Sequence, residues 1–458
     1  MRLKLSQIIP NSAKSSFWIG FGMSLLVCFF IIFVLSPLTG ISKEFGGRGH
    51  DSYLDIAENV IKGYGFVCQP KGSLVLCPPF YPLLLSPMTL LPVWLQRPCL
   101  IVVQGAMVGC IALLIFRIAQ SLFSISTARA AVIIFLLNPW VYWNAKNPMT
   151  AITQTFLYIL FMFLIGDYFL AVVKDNHTLW GEKRQWVKWL AIGMTGAALI
   201  LSHGAMLANV VILLFILFIM GIIRRNYQVL AASIIPGLIV IALVAPWTYR
   251  NWVAFNRFIP VAGNSGFIYF QGLSHWKISG EAAQRPNENY RAAALRFLGK
   301  EGDESCYMQC YGLRDCNIDK EFNEKMKEHI KTQPMVFLKK LLLNSVEYYF
   351  PSITYPFLAV KIFSIESLAI TVFHLTLWGL AVTLIWHSKK EKMLRMPMLL
   401  MLTAIGLYAI WYFPFVTFIG HSLYTMGTIP FLCIMSAAGI VSIVAKIFNP
   451  HPSILNPS

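Results

Sequence analysis

Long, nearly uninterrupted runs of apolar residues recur along this chain. A helix needs about 20 mostly apolar residues to cross the hydrocarbon core of a bilayer, and each of these runs approaches or exceeds that length. The predicted membrane-spanning helices are 17–36, 98–119, 128–144, 152–172, 187–205, 206–222, 229–246, 366–387, 397–415 and 425–446. The pattern predicts an all-α integral membrane protein with about ten transmembrane helices.

Two of these spans depend on a weak interruption. Residues 187–222 form one apolar run, and we divide it at Ser202-His203-Gly204, where polar and small residues occur. The first span, 17–36, is longer than the apolar part of a cleavable signal peptide and no small-residue cleavage site follows it. We therefore expect it to remain as an anchor.

Composition agrees with a membrane protein and excludes a soluble globular domain. Hydrophobic residues make up 57% of the chain and charged residues 12%, whereas a soluble domain carries about 25% charged residues. The 13 Trp residues suit the aromatic belts found at membrane interfaces.

Basic residues predict the direction in which the spans cross the membrane. Lys and Arg concentrate in cytoplasmic loops, and with ten spans all the basic clusters fall on one side. These clusters contain Arg2, Lys4, Lys14, Arg117, Arg129, Lys174, Lys183, Arg184, Lys188, Arg224, Arg225, Lys389, Lys390, Lys392 and Arg395. Both termini are then expected in the cytoplasm. Topology explains much of the net charge of +17, without a nucleic-acid partner.

Two long segments are predicted on the opposite, non-cytoplasmic side. They are 37–97 and 247–352, which we call the first and second outer segments. The chain is accordingly divided into an N-terminal catalytic module (1–246, including the first outer segment), the second outer segment, and C-terminal transmembrane helices (353–458). Because most of the polar mass lies in these segments, we expect chemistry at the outer surface of the membrane.

A short amphipathic helix is predicted in the first outer segment, lying on the membrane surface. Its apolar face consists of Tyr53, Ile56, Ala57 and Val60. Its acidic face consists of Asp51, Asp55 and Glu58. Asp51 stands at the helix start, where a carboxylate also caps the backbone, and Gly63 and Gly65 are expected to end the helix. A further surface helix is predicted at 318–344.

Cysteines of the outer segments suggest disulfides. Cys68 and Cys77 lie in the first outer segment and are expected to pair, because an oxidising compartment permits it. The second outer segment contains Cys306, Cys310 and Cys316. One disulfide and one remaining thiol is the simplest interpretation of these three; a zinc site is the weaker alternative, since three Cys without a nearby His lack a ligand.

Two groups of residues carry a family resemblance. The first comprises Asp51, Tyr53, Ala57-Glu58-Asn59, Gly63-Tyr64-Gly65-Phe66 and Pro78-Pro79-Phe80-Tyr81-Pro82-Leu83-Leu84-Leu85. The second comprises Pro246-Trp247-Thr248-Tyr249-Arg250-Asn251, Ile259-Pro260-Val261 and Gly266. In this order and topology they resemble the polytopic glycosyltransferases of the protein-mannosyltransferase superfamily. The resemblance implies the C-type glycosyltransferase fold over most of the chain, although only these two groups are specific.

The resemblance also implies an activity. Such enzymes transfer a hexosyl or pentosyl group from a polyprenyl-phosphate-linked donor to an acceptor hydroxyl, with inversion at the anomeric carbon. The acceptor remains open among a lipid-linked glycan, lipopolysaccharide and a protein such as a pilin. The implied location is a bacterial inner membrane, with the active site on the periplasmic face.

The chemistry of this transfer assigns candidate roles. Asp51 is the candidate general base, because the acceptor hydroxyl must lose its proton as it attacks. Fixed cations must stabilise the leaving phosphate, and the candidates are Arg250, Lys146, Arg257 and His421. Candidates for binding or supporting the substrate are Arg48, His50, Tyr53, Asp55, Tyr81 and Asn251. No cofactor is assigned, and dependence on a divalent metal ion held by Asp51 and Asp55 is left open.

Several of these residues also have a purely structural interpretation. Asp51 could serve only as a helix cap, Asp55 as part of a solvated face, and Arg250 as an interfacial anchor. Lys146 stands in a short outer turn against the charge bias of the loops, which favours a function. The double proline is interpreted as a rigid turn.

The sequence departs from the family pattern at two places. Many relatives carry an acidic residue where this chain has Thr153-Gln154-Thr155, and an Arg-Tyr pair where it has His421-Ser422-Leu423-Tyr424. A second catalytic carboxylate is therefore not identified. A lipid or solute transporter is the alternative function, but the chain shows no internal repeat and few ionisable residues within its spans.

Overall fold

The computed structural model describes residues 12–35, 53–67, 77–174, 185–262, 266, 269–270, 273, 290–300, 316–350, 365–390, 392–410 and 425–448. The regular elements of these residues are helices. They are α1 (Ala13–Phe30, continued by a π-helical turn, Ile31–Leu35), α2 (Tyr53–Ile61), α3 (Phe80–Leu85, continued by a 3-10 turn, Ser86–Leu90), α4 (Val93–Leu122), α5 (Ile125–Leu136), α6 (Pro139–Ala145), α7 (Ala151–Lys174), α8 (Gln185–Ser202), α9 (Met206–Ile223), α10 (Tyr227–Phe255), α11 (Tyr290–Phe297), α12 (Cys316–Thr332), α13 (Pro334–Tyr349), α14 (Ile365–Lys390), α15 (Lys392–Ile410) and α16 (Ile429–Phe448).

Each of the predicted spans contains a helix of the structure, which confirms an all-α membrane fold. Within the described residues, five helices are long and apolar enough to cross a membrane, and the bent pair α5 and α6 makes a sixth. Shorter apolar stretches occur in α7, α15 and α16. The number of ten spans stays a prediction, as does the division of the chain into three parts.

The span predicted at 128–144 is bent rather than straight. Its two halves, α5 and α6, meet at an angle of 59°. Pro139 occupies the first turn of α6, and the Asn138 side chain accepts a hydrogen bond from the Trp140 backbone N–H at 3.0 Å. Proline cannot donate a backbone hydrogen bond to the preceding turn, so a new helix begins here with Asn138 as its cap.

Two other helix boundaries were tested by the structure. The predicted division of 187–222 is confirmed, because α8 ends at Ser202 and α9 begins at Met206. The single surface helix predicted at 318–344 is wrong, because α12 and α13 are separate. Gln333 stands between them and Pro334 begins the second helix, as the steric restriction before a proline requires.

Close packing of small residues joins α1 to α4. A Cβ atom added to Gly109 would lie 2.8 Å from the Phe17 carbonyl oxygen, and one added to Gly20 would lie 3.1 Å from the Ala112 Cβ. Helices in lipid gain little from the hydrophobic effect and associate through such close backbone approach. The first helix is thereby held against the rest of the bundle.

Buried hydrogen bonds connect the C-terminal helices to the bundle and to one another. Tyr158 of α7 donates through Oη to the Ala404 carbonyl of α15 at 2.6 Å. Ser436 of α16 donates through Oγ to the Leu377 carbonyl of α14 at 2.7 Å. Both donors are fully buried, so each bond satisfies a polar group that would otherwise be costly in an apolar surrounding.

The second outer segment contains a small core of its own. Phe270, Phe297 and Phe322 pack against one another. Tyr269 belongs to the same buried cluster, and its hydroxyl lies 3.0 Å from His329 Nδ1. Gly266 is tightly enclosed, because an added Cβ would lie 2.4 Å from the backbone nitrogen of Asn323. Only glycine fits at this approach to α12.

Candidate functional site

Five of the predicted site residues lie outside the described part of the chain. They are Arg48, His50, Asp51, Cys68 and His421. Their roles remain predictions, and so does the disulfide between Cys68 and Cys77. The remaining predicted residues fall into two groups, one around the ends of α2 and α10 and one at the end of α6.

The predicted surface helix of the first outer segment rests on the double-proline turn. Tyr53 meets Tyr81 edge-to-face, with ring centroids 5.2 Å apart, and Tyr81 is fully buried. Ile56 is buried as predicted, but Asn59 rather than Val60 completes the buried face. The prediction that Val60 completes the buried face was wrong, because Asn59 is buried to make a hydrogen bond that an apolar pattern does not reveal.

The hydrogen bond of Asn59 fixes the chain that follows α2. Asn59 donates through Nδ2 to the Val67 carbonyl at 2.8 Å. Gly63 and Gly65 have φ angles of 78° and 79°, in the left-handed region that glycine adopts without strain. The turn ends α2 as predicted and directs Phe66 towards α10.

Asp55 lies partly buried in the first turn of α2. Within the described residues, no group of three or more His, Cys, Asp or Glu side chains could hold a metal ion. The proposed partner of Asp55 in metal binding, Asp51, lies outside those residues, so the metal site stays a prediction.

The Pro-Trp-Thr-Tyr-Arg-Asn motif lies near the C-terminal end of α10 and holds the turn that follows. Trp247 donates through Nε1 to the Val261 carbonyl at 2.9 Å, and Asn251 donates through Nδ2 to the same carbonyl at 3.3 Å. Thr248 donates through Oγ1 to the Pro260 carbonyl at 2.9 Å. Asn251 is completely buried and supports this turn.

Arg250 lies among three aromatic rings. Its Cζ is 4.7 Å from the centroid of Trp247, 5.4 Å from that of Phe255 and 5.9 Å from that of Phe66. Phe66 and Trp247 also meet edge-to-face at 4.8 Å, and Arg250 Nη1 donates to Asn251 Oδ1 at 3.0 Å. These three rings, which we call the Arg250 cage, unite the two segments that carry the family resemblance.

Two further predicted residues lie beside this group. Cys77 is close enough to the Arg250 guanidinium to interact with it electrostatically. Arg257 is partly buried and follows Asn256, whose φ of 49° ends α10 in the left-handed conformation. Two arginines therefore flank the C-cap of α10, Arg250 within the helix and Arg257 directly after the cap.

Lys146 occupies a different environment, at the C-cap of α6. Its side chain is only 1% exposed, and Nζ lies 3.9 Å from the centroid of the Trp143 ring. Burial, together with repulsion from Arg97, lowers the pKa of Lys146 to about 8, while Cys28 opposes the shift. The amine is therefore close to its titration point in the physiological range.

Buried amides line the chain next to Lys146. Gln104 of α4 donates through Nε2 to the Asn147 carbonyl at 2.7 Å, and Asn147 donates through Nδ2 to the Trp143 carbonyl at 3.0 Å. Gln154, at the position where relatives carry an acid, is 2% exposed in the first turn of α7. Beside Arg97, the described surroundings of Lys146 thus include buried amide groups.

Sequence reasoning missed two contributors. Phe66 was part of the family motif but received no role, and Arg97 was not considered at all. The glycines on either side of Tyr64 were a signal for Phe66, because two positive φ angles fix the direction of the next side chain. Nothing local identified Arg97, whose neighbour Lys146 lies on a different helix.

No model of a protein family matches the chain, and no curated protein sequence matches it. Solved structures do. The archaeal oligosaccharyltransferase AglB from Archaeoglobus fulgidus, in complex with an inhibitory peptide and a dolichol-phosphate, is 14% identical with a TM-score of 0.52 over 96% of this chain and 51% of that one. The apo form of the Archaeoglobus fulgidus oligosaccharyltransferase is 13% identical, with a TM-score of 0.52 and the same coverage. The chain spans about half the length of these structures.

ArnT from Cupriavidus metallidurans bound to undecaprenyl phosphate gives a TM-score of 0.36 at 13% identity, over 87% of this chain and 75% of that one. That score is too low to support an argument. The likeness to the oligosaccharyltransferase structures shows the fold, and the C-type glycosyltransferase fold expected from the sequence is confirmed.

Proposed function

We propose that the protein is a membrane glycosyltransferase that uses a polyprenyl-phosphate-linked sugar as donor. It transfers the hexosyl or pentosyl group to a hydroxyl of an acceptor on the outer face, with inversion. The acceptor is a lipid-linked glycan, lipopolysaccharide or a protein such as a pilin. The proposed location is a bacterial inner membrane, with cytoplasmic termini and a periplasmic site.

The contact between Phe66 and the outer end of α10 is the observation that carries this proposal. The two segments on which the family resemblance rests are far apart in sequence, yet Phe66 packs on Trp247 and lies within reach of Arg250. A resemblance that arose from chance would give no reason for its two parts to meet. The fold, shared with a protein solved with a dolichol-phosphate, is consistent with a lipid-phosphate donor.

The proposed reaction is a single displacement at the anomeric carbon. The acceptor oxygen forms a bond to that carbon while the bond from the carbon to the phosphate oxygen breaks, and its electron pair leaves with polyprenyl phosphate. Asp51 accepts the proton of the acceptor hydroxyl.

Fixed positive charge balances the leaving phosphate in this scheme. Arg250 is the principal candidate, since a guanidinium held over aromatic rings keeps its charge at every relevant pH. Lys146, Arg257 and His421 are further candidates. A cation that is already in position lowers the barrier without having to reorganise as the charge develops.

The test is release of polyprenyl phosphate from a panel of synthetic polyprenyl-phosphate sugars by the purified protein in detergent, with and without acceptor fractions. We expect release from one donor, and loss of about 1,000-fold in rate in Asp51→Asn, since general bases contribute on this order. Glu58→Gln is the matched control, because it removes another carboxylate of the first outer segment, one that pairs with Lys62.

Wild-type rates in Asp51→Asn would remove Asp51 from the mechanism. Failure of every donor in the presence of acceptor would reject the proposal and leave the transporter alternative, which flux measurements in liposomes would then examine.

A further inference from the structure

The Arg250 cage is assembled from two parts of the chain. Trp247 and Phe255 lie on the same helix as Arg250, and Trp247 stands one helical turn before it. Phe66 comes from the first outer segment. The guanidinium is therefore enclosed fully only when that segment lies against α10.

The backbone before Phe66 is built to hold it there. Gly63 and Gly65 both have positive φ angles, and the Asn59 side chain fixes the Val67 carbonyl directly after Phe66. A short turn with a hydrogen bond on one side and two left-handed glycines on the other gives the ring a single direction. Such support is expected for a side chain whose position matters.

An arginine gains from being held in this way. Its long side chain has many rotamers, and an anion that binds it must restrict them. Aromatic rings attract the guanidinium through their negative faces, so they limit the rotamers before the anion arrives. An arginine positioned in advance binds a phosphate more tightly than a mobile one.

We infer that Phe66 is a positioning residue for Arg250: the first outer segment completes the donor-phosphate site by placing an aromatic ring against the guanidinium. This inference rests on the proposed function. It makes donor affinity depend on a residue that need not touch the donor, and it couples the segment that contains Asp51 to the helix that contains Arg250.

Binding of undecaprenyl phosphate to the full-length protein in detergent tests the inference. Phe66→Ala is expected to raise the dissociation constant about five- to tenfold, the range of a partly desolvated cation–aromatic contact. Phe66→Tyr keeps the ring and should stay within about twofold of the wild type. Phe258→Ala is the matched control, since Phe258 is an aromatic residue near the end of α10 and is 70% exposed.

A double-mutant cycle separates positioning from a general structural role. If Phe66 acts through Arg250, then Phe66→Ala causes no further loss of affinity in an Arg250→Ala background. Gly65→Ala gives a second approach, because no atom lies within 4 Å of an added Cβ and only the φ of 79° resists the substitution. It should displace Phe66 and reproduce the effect of Phe66→Ala.

Three outcomes would overturn the inference. Wild-type affinity in Phe66→Ala would refute it while leaving the proposed function intact. An equal loss in the wild-type and Arg250→Ala backgrounds would assign Phe66 a structural role instead. If the wild-type protein neither binds undecaprenyl phosphate nor releases it from any donor, the proposed function fails and the inference falls with it.

Discussion

Arg250 and Lys146 are both candidate partners of the donor phosphate, but the protein treats the two cations differently. Arg250 lies over three aromatic rings at the end of a long helix. Lys146 is almost completely buried at the C-cap of a short helix, with one ring and a repelling arginine as neighbours. A stacked guanidinium keeps its charge, whereas a desolvated amine loses its proton readily.

The difference separates a permanent charge from an adjustable one. A site that needs positive charge at all times is best served by arginine, and one in which charge appears on demand is better served by a buried lysine. An arriving phosphate would favour the protonated amine of Lys146, because an opposite charge nearby raises the pKa of a lysine. The predictions below test this distinction.

The largest effect is expected at Arg250. Arg250→Ala should raise the KM for the donor about 100-fold, because truncating one member of a charged pair typically costs 2–5 kcal/mol, about 1.4 kcal/mol for each factor of ten. Arg250→Lys should recover little, since lysine lacks the planar group that lies over the rings. Initial rates at varied donor concentration measure both. A wild-type KM in Arg250→Lys would mean that the site needs only a positive charge. Arg224→Ala, which changes an exposed arginine, is the control.

A smaller effect on donor KM is expected for Lys146→Met, without the loss of stability that usually follows a buried substitution. The donor KM should rise about tenfold at pH 7, the scale of a single charge-assisted contact. The protein should nevertheless be at least as resistant to thermal unfolding. The pKa of Lys146 is lowered from 10.5 to about 8, so below pH 8 the folded state carries the full cost of a protonated buried amine.

That cost diminishes as the pH rises from about 8 to 10.5, the interval between the folded and unfolded pKa values. The stability gained by Lys146→Met should therefore be greatest at pH 7 and small at pH 10. Melting temperatures in detergent at the two pH values provide the measurement. A variant that is less stable than the wild type at pH 7 would contradict the assignment.

The smallest effect is expected from Arg97→Gln. Removal of this positive neighbour should raise the pKa of Lys146, because repulsion from Arg97 contributes to lowering it. The alkaline rise in donor KM should then move to higher pH by about a few tenths of a unit, because repulsion from Arg97 is a smaller cause of the lowered pKa than burial. A pH profile of donor KM detects this, and Lys146→Arg, which cannot deprotonate in the same range, should abolish the rise. An unchanged profile in both variants would exclude Lys146 from donor binding.

The fold was largely predictable because membrane spans are a local property of sequence. The runs around Leu114 and Leu213 are long and apolar, and each became a helix. The bend at Asn138-Pro139 was missed although both residues are typical of a helix start, because hydropathy alone outweighed them. The break at Pro334 was missed as well.

The site was predictable only in part, because its contacts join distant segments. The motif around Arg250 was recognised, but its pairing with Phe66 depends on how the first outer segment folds back onto α10. Burial is the main cause of the lowered pKa of Lys146. Whether a turn residue is buried cannot be predicted from the residues next to it in the sequence. The role of Asn59 likewise depends on its hydrogen bond to the Val67 carbonyl, which the sequence does not reveal.

The hydrogen bond from Tyr158 to the Ala404 carbonyl joins two helices that are synthesised at different times. The ribosome completes α7 long before α15, so the Tyr158 hydroxyl enters the bilayer without its acceptor, and an unsatisfied polar group there is costly. A nascent chain that stops after α13 would retain this unsatisfied hydroxyl, and we expect membrane proteases to degrade it faster for that reason. In pulse-chase experiments on a chain truncated at residue 350, Tyr158→Phe should lengthen the lifetime, and an unchanged lifetime would show that the hydroxyl is not what the quality-control machinery detects. The Tyr158 hydroxyl thus gains its acceptor only after α15 has been synthesised.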